Sequence, residues 1–514
     1  MILSKISNII PLNILNLFTK IIEQNPKLAL KFLTIADSET IEEISKRKAV
    51  KQAKKAFKRV KNYKKFLKSK DFNNKIKNFK DFNKLPFTSK ENYIKACKDI
   101  KDLLIDSDLS FATTVYKSSG TTGKSFIWAH NYKEGKEGIN LSRIGLENLF
   151  KISNENALFV NGFALGPWVS GMKFAFIMNS IGPTINPGAD YAEILGIIKT
   201  LRDKFSQIII GGYPPFVKNL LEKGILEGIN FKDYNLNFLL AGEGFSESFR
   251  DYLYTLIKSS PANAKSKIYS VYGAADIGVC GINENKDTVE IRRLAEKNKK
   301  LKQKLFRNKK SKLIPMLFQY NPLNFFIEES KGEVIITTIN LDKMLPVIRY
   351  NIHDSGGVIS YKKIKEIFKQ QNIDIKVKLK LPFLYIDGRT GGVISINSAK
   401  VYPETISKAL YQDKSLANLI TGKFKLKKQQ TSKQQTMFII EIELKENIKP
   451  NIQLKNDFEK LIKKELCETN VEYKDMITHY SKHALPNVNL IEFKKSDSKM
   501  IIKQYLVTLI HKSS

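Results

Sequence analysis

The chain contains few cysteines, few arginines and no long uninterrupted apolar segment. Its 514 residues include three cysteines, Cys97, Cys280 and Cys467, which stand more than 150 residues apart. This spacing excludes a disulfide framework and the paired cysteines of a zinc knuckle, and it indicates a reducing, cytoplasmic location. No run of about 18 apolar residues occurs, so a membrane-spanning helix is not expected.

The N-terminus is apolar but does not read as a secretory signal. Residues 1–20 contain interspersed asparagines and no small-residue cleavage site. Packing against the protein or binding at a membrane interface would both account for this apolar character.

Positive charge is concentrated in two stretches. The net charge is +35, with 86 Lys and Arg residues against 51 Asp and Glu residues. Residues 46–80 hold 16 basic residues against one acidic residue, and residues 292–312 hold 11 against one. These stretches favour peripheral binding to an anionic membrane or to an acidic protein partner. Nucleic acid is not favoured, because only 10 of the basic residues are arginines and aromatic residues are not interleaved at recognition-motif spacing.

Length and composition predict a folded protein of several domains. A chain of 514 residues exceeds a single hydrophobic core, and 42% hydrophobic with 27% charged residues is ordinary globular usage. Residues 1–84 show the three- and four-residue apolar spacing of amphipathic helices among lysines. Residues 85–387 alternate short β-rich runs with helical stretches, which is typical of an α/β domain.

Residues 388–514 predict a smaller α+β unit. The pattern predicts, in order, a strand near residue 394, a helix that begins near Tyr402, a strand at 437–444 and a helix from about residue 452. The segment 425–436, rich in Lys and Gln, is expected to be a mobile hairpin loop. The sequence after residue 497 is expected to be helical.

A short segment that ends at Lys124 is rich in serine, threonine and glycine. Glycines allow backbone N–H groups to approach an anion, hydroxyl groups add donors, and lysine adds positive charge. The composition predicts a polyphosphate-binding loop made of Ser118, Ser119, Gly120, Thr121, Thr122, Gly123 and Lys124. It is not a Walker A loop, because that motif requires glycine at position 118.

The string SSGTTGK resembles the phosphate loop of the adenylate-forming enzymes, which include acyl-CoA synthetases, luciferases and peptide-synthetase adenylation domains. The phenylacetate–CoA ligase and coenzyme F390 synthetase-like branch is the most similar, with Ser125 in place of its usual proline. The resemblance runs from residue 85 to the end. It implies an α/β fold with a large catalytic domain of mixed sheets and helices at residues 85–387. A small, mobile α+β lid domain at 388–514 and a helical, basic extension at 1–84 complete the chain.

Two motifs in the family's order imply where adenine and the metal bind. The turn at residues 241–243 resembles the turn whose backbone contacts adenine. The segment 270–276 resembles YGxTE, in which the tyrosine lies beside the adenylate and the acidic residue holds Mg²⁺. The acid here is an aspartate, one methylene shorter than the usual glutamate, and still an oxygen ligand of the kind that Mg²⁺ prefers. The residues assigned in this way are Ala241, Gly242, Glu243, Tyr272, Gly273 and Asp276.

A third motif implies the ribose contact. Residues 346–354 resemble RYxTGD, in which the aspartate, here Asp354, accepts both ribose hydroxyl groups. One carboxylate offers two oxygens to that pair of donors. His353 replaces the usual glycine and is expected to fill the loop rather than to act as a general base.

Two further motifs lie in the C-terminal part. Residues 387–403 resemble the family's hinge stretch, so Arg389 takes the place of the arginine that reaches the nucleotide. Gly391 and Gly392 replace two acidic residues at that hinge, which predicts easier rotation. Lys499 ends a KSDSK string that resembles RSEGK, whose lysine bridges the carboxylate and the α-phosphate.

A glycine-rich aromatic stretch stands where this branch has the wall of its acyl pocket. Phe163 and Trp168 would line a pocket for an apolar or aromatic acid, with core packing as an equal alternative. The turn at Gly212 and Tyr213 is a further pocket candidate.

The resemblance implies an ATP-dependent ligase. The carboxylate of a small-molecule acid attacks the α-phosphate of ATP, pyrophosphate leaves, and the acyl group passes from the adenylate to a thiol, with coenzyme A as the expected co-substrate. Lys124, Arg389 and Lys499 would act with Mg²⁺ on the developing charge. An amide ligase and a nucleotidyl transferase are alternatives on the same fold. A basic membrane- or nucleic-acid-associated protein without catalysis is the alternative from another class.

Overall fold

The computed structural model describes most of the chain. The described residues are 10–72, 75–117, 126–166, 169–259, 266–278, 280–306, 314–389, 394–396, 399–430, 436–470, 473–474, 477, 485–493 and 505–510. Several predicted site residues lie outside them: the phosphate loop 118–124, Trp168, the hinge glycines Gly391 and Gly392, and Lys499. Of Arg389 only the backbone is described.

The N-terminal part is helical, as predicted. Its helices are α1 (Leu12–Glu23), α2 (Pro26–Ile35), α3 (Ser38–Arg59), α4 (Lys61–Lys68) and α5 (Phe79–Phe82). The side chain of Asp37 accepts a hydrogen bond from the backbone N–H of Thr40 and so caps α3. Small residues of α3, Ala49, Ala53 and Ala56, are buried in the same core as the sheets. These helices therefore pack onto the body of the protein, and the boundary at residue 84 stays a prediction.

Glu23, at the end of α1, makes the stability of this packing depend on pH. Its side chain is buried and accepts a hydrogen bond from Asn324 (3.3 Å). Burial raises the pKa of Glu23 to about 7, and the nearby Glu137 acts in the same direction. Because the folded state keeps the proton to higher pH than the unfolded state, the free energy of unfolding falls as pH rises from 4.5 through about 7.

We therefore expect Glu23→Gln to stabilise the protein at pH 8 but scarcely at pH 4.5. The expected gain at pH 8 is up to roughly 3 kcal/mol, since one pKa unit corresponds to about 1.4 kcal/mol. Thermal unfolding of both proteins at the two pH values measures it, with Glu290→Gln, at an exposed carboxylate, as the control. A difference from the wild type that does not grow with pH would contradict the prediction.

Residues 88–270 form an α/β layer around a five-stranded parallel sheet. Its order is β5-β4-β6-β7-β8, and β2 and β3 form a separate antiparallel pair. The central strands are buried along their whole length, as expected for parallel strands covered by helices. The elements are β1 (Thr88–Ser89), β2 (Ala112–Lys117), β3 (Ile127–Asn131), α6 (Tyr132–Phe150), β4 (Ala157–Asn161), α7 (Val169–Asn179), β5 (Thr184–Ile185), α8 (Tyr191–Leu201), β6 (Gln207–Gly212), α9 (Pro214–Leu226), β7 (Leu236–Leu240), α10 (Glu247–Leu256) and β8 (Ile268–Ser270).

A second, seven-stranded sheet follows in the chain. Its order is β11-β12-β13-β14-β10-β9, and β1 pairs in parallel with β13. The described elements are β9 (Ile282–Asn283), α11 (Lys286–Lys297), α12 (Lys299–Leu305), β10 (Met316–Tyr320), β11 (Phe325–Ser330), β12 (Glu333–Thr338), β13 (Tyr350–Ile359), α13 (Tyr361–Gln370) and β14 (Phe383–Arg389). Strand β13 carries the predicted ribose motif into this sheet.

The C-terminal part contains a four-stranded sheet of order β19-β18-β17-β20. The described elements are β15 (Ile394–Ile396), β16 (Ala399–Val401), α14 (Pro403–Leu410), α15 (Lys414–Ala417), β17 (Ile420–Gln430), β18 (Thr436–Leu444), α16 (Ile452–Thr469), β19 (Pro486–Ile491) and β20 (Tyr505–Ile510). None of the helices described along the chain has an apolar stretch that would reach across a bilayer.

Two predictions for this part are wrong. The segment after residue 497 was expected to be helical, but residues 505–510 form β20, which pairs in parallel with β17. The run contains the β-branched residues Val507, Thr508 and Ile510, which favour a strand when a neighbouring strand is available for pairing. The loop predicted at 425–436 is shorter, because β17 continues to residue 430, with Phe424 and Leu426 buried and lysines alternating between them.

Side chains of α9 donate hydrogen bonds to backbone carbonyl groups at the start of β17 and so anchor the C-terminal part. Lys218 is fully buried, and its Nζ donates to the carbonyl of Ile420 (2.8 Å) and to Glu222 (3.1 Å). The side-chain amide of Asn219 donates to the carbonyl of Thr421 (2.9 Å). Burial lowers the pKa of Lys218 to about 8. These hydrogen bonds fix the position of the start of β17 relative to α9.

Candidate active site

The predicted adenine turn lies at the carboxyl end of the parallel sheet, against Tyr213. The N–H of Ala241 donates to the carbonyl of Gly212 (3.2 Å), which joins the ends of β7 and β6. Gly242 has φ +96°, and a Cβ there would lie 2.2 Å from Cε1 of Tyr213. Only glycine fits this position. The structure thus brings the predicted turn 241–243 and the predicted pocket turn 212–213 into contact.

Tyr213 belongs to an aromatic cluster with Phe163. The ring centroids of these two residues lie 5.4 Å apart, and Phe163 lies 5.6 Å from Phe174 of α7. The hydroxyl group of Tyr213 is 3.1 Å from Oγ of Ser170, and burial raises the pKa of that hydroxyl. A side chain at Gly211 would strike Phe174 and Phe163. Phe163 is thus packed in the core among these aromatic rings.

An apolar cavity of about 80 Å³ opens beside this cluster. It lies between α6, α7 and the ends of β7 and β8, and Phe163 and Ala241 are the predicted residues that line it. Most of its wall was not predicted. That wall includes Leu146, Leu149, Phe174, Ile177, Met178 and Val271. Its apolar surface suits the hydrocarbon part of a small ligand.

The predicted adenylate, metal and ribose residues form one cluster. The hydroxyl group of Tyr272 donates to Oδ2 of Asp354 (2.6 Å), although the residues are 82 positions apart. The hydroxyl group of Tyr350, also on β13, donates to Oδ2 of Asp276. The N–H of Val271 donates to the carbonyl of Leu240 (2.8 Å), which places this cluster next to the turn 241–243.

His353 adopts the left-handed backbone that the family's glycine allows. Its φ is +60°, a conformation in which histidine is found more often than most side chains. Its imidazole is 45% exposed and lies 3.2 Å from Glu91 and 3.6 Å from Glu333. The ring thus contacts surface carboxylates.

Of the remaining predicted residues, the described backbone places Arg389 beside the ribose motif. Asp354 and Arg389 are register partners in the antiparallel pair β13–β14. Lys117 and Ile127 are register partners in β2–β3, so the phosphate loop connects two paired strands. The loop itself, Trp168 and Lys499 lie outside the described residues.

A buried ion network supports the segment before Tyr272, and no sequence motif predicts it. Arg250 donates to Glu247 (3.0 Å) and to Glu284 (2.7 Å), and Arg292 donates to Glu284 (3.1 Å). The other oxygen of Glu284 accepts the N–H of Ser270 (2.8 Å). All four charged residues are at most 3% exposed. Arg292, the first residue of the second basic stretch, is therefore part of the core rather than of a surface patch.

Asp276 is the carboxylate of this cluster that the resemblance assigns to a metal ion. No group of three or more His, Cys, Asp or Glu side chains able to hold a metal occurs in the part of the chain that the structure describes. Mg²⁺ that is bound largely through substrate phosphates needs only one or two carboxylates. Asp276, held by Tyr350, fits that role.

Comparison with solved structures finds ligases that use acyl-adenylates. The structure of 2-hydroxyisobutyryl-CoA ligase in the postadenylation state, in complex with R3-HIB-AMP, is similar with a TM-score of 0.65 and 12% identity, over 93% of this chain and 91% of that chain. The same ligase with 2-HIB-AMP and CoA in the thioesterification state gives 0.53 and 13%, over 93% and 92%. The GH3.15 acyl acid amido synthetase gives 0.56 and 14%, over 91% and 88%.

The first of these comparisons leaves 7% of this chain uncovered. Residues 1–84 are a larger share of the 514 residues than that. The structural similarity therefore includes part of the N-terminal helices. The sequence motifs alone had placed its start at residue 85. No protein-family model and no curated protein matches the sequence.

Proposed function

We propose, on the premise that the chain has the predicted fold of the adenylate-forming enzymes, that it is an ATP-dependent, AMP-forming ligase. The cluster of Tyr272, Asp276 and Asp354 beside the turn 241–243 carries this proposal. It gathers, from three separate segments of sequence, the residues that the motifs assign to adenine, ribose and metal.

The chain's own residues would act mainly by positioning and by charge. Asp354 accepts the ribose hydroxyl groups while Tyr272 holds its carboxylate. Asp276 would hold Mg²⁺, which supplies positive charge to the phosphate oxygens. Lys124, Arg389 and Lys499, assigned by the resemblance, would add charge around the α-phosphate. The reaction needs little covalent help from the protein.

The apolar cavity supports an acid with an apolar or aromatic chain. Its wall is mainly apolar and includes Leu146 and Leu149 of α6 and Phe174 and Ile177 of α7, with Ser142, Ser170 and Asn283 as its polar members. We propose coenzyme A as the acceptor, as in the phenylacetate–CoA ligase-like branch, and the similar CoA ligase complex with CoA favours it. The similar amido synthetase favours an amine as the alternative acceptor.

Measuring pyrophosphate and AMP together tests the reaction type. With ATP, an acid and coenzyme A, the proposal predicts equal amounts of both, because the acyl transfer releases AMP. Replacing coenzyme A by an amine tests the alternative acceptor. Pyrophosphate without free AMP would instead indicate transfer of AMP to a product, and would overturn the ligase proposal.

We also propose that the enzyme binds the surface of an anionic membrane through its N-terminal helices. On α1, Ile14, Leu17, Phe18 and Ile21 recur at helical spacing and are 51–61% exposed. Such an outward apolar face is typical of an interfacial helix. The only acidic residue of α1 and α2, Glu23, is buried, whereas their lysines are exposed.

The basic face of α3 and α4 adjoins this apolar face. Lys51 of α3 donates a hydrogen bond to the side chain of Asn13 (2.5 Å). Lys54, Lys58 and Lys61 are exposed beyond it, whereas Lys48 is buried. Each lysine near an anionic bilayer contributes about 1 kcal/mol to binding. In the second basic stretch, Arg292 is buried and takes no part in such a surface.

Co-sedimentation with vesicles tests this proposal. We expect binding to anionic vesicles at low salt, and loss of binding at high salt or with neutral vesicles, because salt screens the attraction. The double variant Leu17→Asp and Phe18→Asp should lower the bound fraction at least about tenfold, since each apolar side chain is worth roughly 1.5 to 3 kcal/mol when buried. Leu226→Asp, at an 85% exposed residue of α9, is the control. If the wild type stays in the supernatant, an acidic protein becomes the better partner.

A further inference from the structure

A second, polar cavity of about 40 Å³ lies next to the apolar one. It is enclosed by α6, α7, the strands β11 and β12, and the turn that follows Asp276. Its wall includes His130, Glu134, Lys173, Asn324, Lys343 and Cys280. Cys280 also lines the apolar cavity, so the two spaces adjoin at this residue.

The two cavities follow one another along the groove between α6 and α7. On α7, Lys173 faces the polar cavity, while Phe174 and Ile177 face the apolar one. On α6, Gly138 lines the polar cavity, and the next turns of the helix line the apolar one. A Cβ at Gly138 would lie 3.7 Å from Sγ of Cys280 and 3.8 Å from Cε of Lys173. Gly138 therefore stands between these two side chains at the junction.

Lys173 is buried without a counter-charge. Its side chain is 8% exposed, and among the described residues its ammonium group has no hydrogen-bond or ion-pair partner. Removing an ammonium group from water without a partner is costly. A lysine in that position is therefore suited to receive an anion from a ligand.

The carboxylates of this cavity already have partners. Glu134 contacts Nδ1 of His130 (2.9 Å), accepts the N–H of Met344 (2.8 Å) and lies 3.9 Å from Nζ of Lys343. Glu137 accepts a hydrogen bond from Asn324 (3.2 Å). Burial raises the pKa of Glu137.

Lys173 differs from the other lysine of this cavity. Nζ of Lys343 lies 3.9 Å from Glu134, whereas no hydrogen bond or ion pair reaches Lys173 from the described residues. Burial lowers the pKa of His130, which favours its neutral ring. Lys173 is therefore the cation of this cavity that can pair with a ligand anion.

We propose that Lys173 binds a second anionic group of the carboxylic acid substrate. The acid would have an apolar chain in the first cavity, and its distal carboxylate would enter the second. This inference rests on the proposed function, since the reacting carboxylate would be activated at the cluster of Tyr272, Asp276 and Asp354. The acid would thus be a dicarboxylic acid rather than a simple apolar one.

Pyrophosphate exchange into ATP, measured without any acceptor, tests the inference. The probes are acids of equal chain length that end in a methyl group or in a carboxylate, namely hexanoate against adipate and octanoate against suberate. The wild type should prefer the diacids, and Lys173→Met should lower the ratio of kcat/KM values, diacid over monoacid, roughly 10- to 150-fold, the range of a charged hydrogen bond. Lys173→Arg should keep most of the preference.

The control is Lys218→Met, at a buried lysine whose Nζ has partners; it should leave the ratio unchanged. Lys173→Gln is the second variant if the methionine variant does not fold. A wild type that prefers monoacids, or a ratio that Lys173 does not affect, would overturn the inference while leaving the ligase proposal intact. An effect seen only after an acceptor is added would assign the anion to the acceptor and also overturn it. Absence of exchange with every acid would refute the proposed function and, with it, this inference.

Discussion

Replacing Lys499 with alanine is expected to lower acyl-adenylate formation about 10²- to 10³-fold and to leave transfer from a pre-made acyl-adenylate largely intact. The resemblance of residues 495–499 to RSEGK assigns this lysine to the bond that forms between the carboxylate and the α-phosphate. A charge that acts only in that transition state affects the first half-reaction alone. The loss should therefore appear in kcat for adenylation rather than in the binding of ATP.

Separate assays of the two half-reactions measure this effect. The first is pyrophosphate exchange into ATP, and the second is the consumption of synthetic acyl-adenylate by coenzyme A. Lys503→Ala is the matched control, because it removes a lysine four positions away. Equal damage to both half-reactions by Lys499→Ala would indicate a folding defect, and a larger effect of Lys503→Ala would move the catalytic assignment to Lys503.

Asp354→Ala is expected to weaken ATP binding roughly 10- to 150-fold. The carboxylate is assigned to both ribose hydroxyl groups, and a hydrogen bond to a charged group is worth roughly 1.5 to 3 kcal/mol. In the structure Tyr272 already orients this carboxylate through a 2.6 Å hydrogen bond. Because Tyr272 already orders the side chain of Asp354, less conformational entropy is lost when the nucleotide binds.

Titration calorimetry with ATP measures this prediction. Tyr272→Phe is the matched variant, since it removes the hydroxyl group that orients Asp354 but keeps the ring and the acid. Its effect on ATP affinity should be smaller than that of Asp354→Ala. An unchanged affinity in Asp354→Ala would exclude Asp354 from the nucleotide site.

The fold could be predicted because its main signals are local in sequence. The parallel strands at 157–161, 207–212 and 236–240 are short apolar runs, and each proves to be buried along its whole length. The segment 505–510 was assigned to a helix because its strand character depends on pairing with β17, which is about 80 residues away in sequence. A short apolar run does not by itself distinguish the two structures.

The site could be predicted only where a motif is contiguous. The turn 241–243 and the residues Tyr272 and Asp354 were identified from short strings, and the structure places them in one region. The walls of the two cavities come from the faces of α6 and α7, whose apolar residues have the same spacing as any core helix. Lys173 looks like an ordinary lysine in a chain rich in lysine. Only the tertiary structure shows that it is buried beside the apolar cavity.

If the chain activates a carboxylic acid with ATP, it should exchange labelled pyrophosphate into ATP only when a suitable acid is present. A panel of apolar, aromatic and dicarboxylic acids would be assayed with Mg²⁺ and without any acceptor. We expect exchange that requires an acid, that differs strongly between acids, and that falls in Asp354→Ala. Absence of acid-dependent exchange across the panel, with ATP still bound by the wild type, would contradict it.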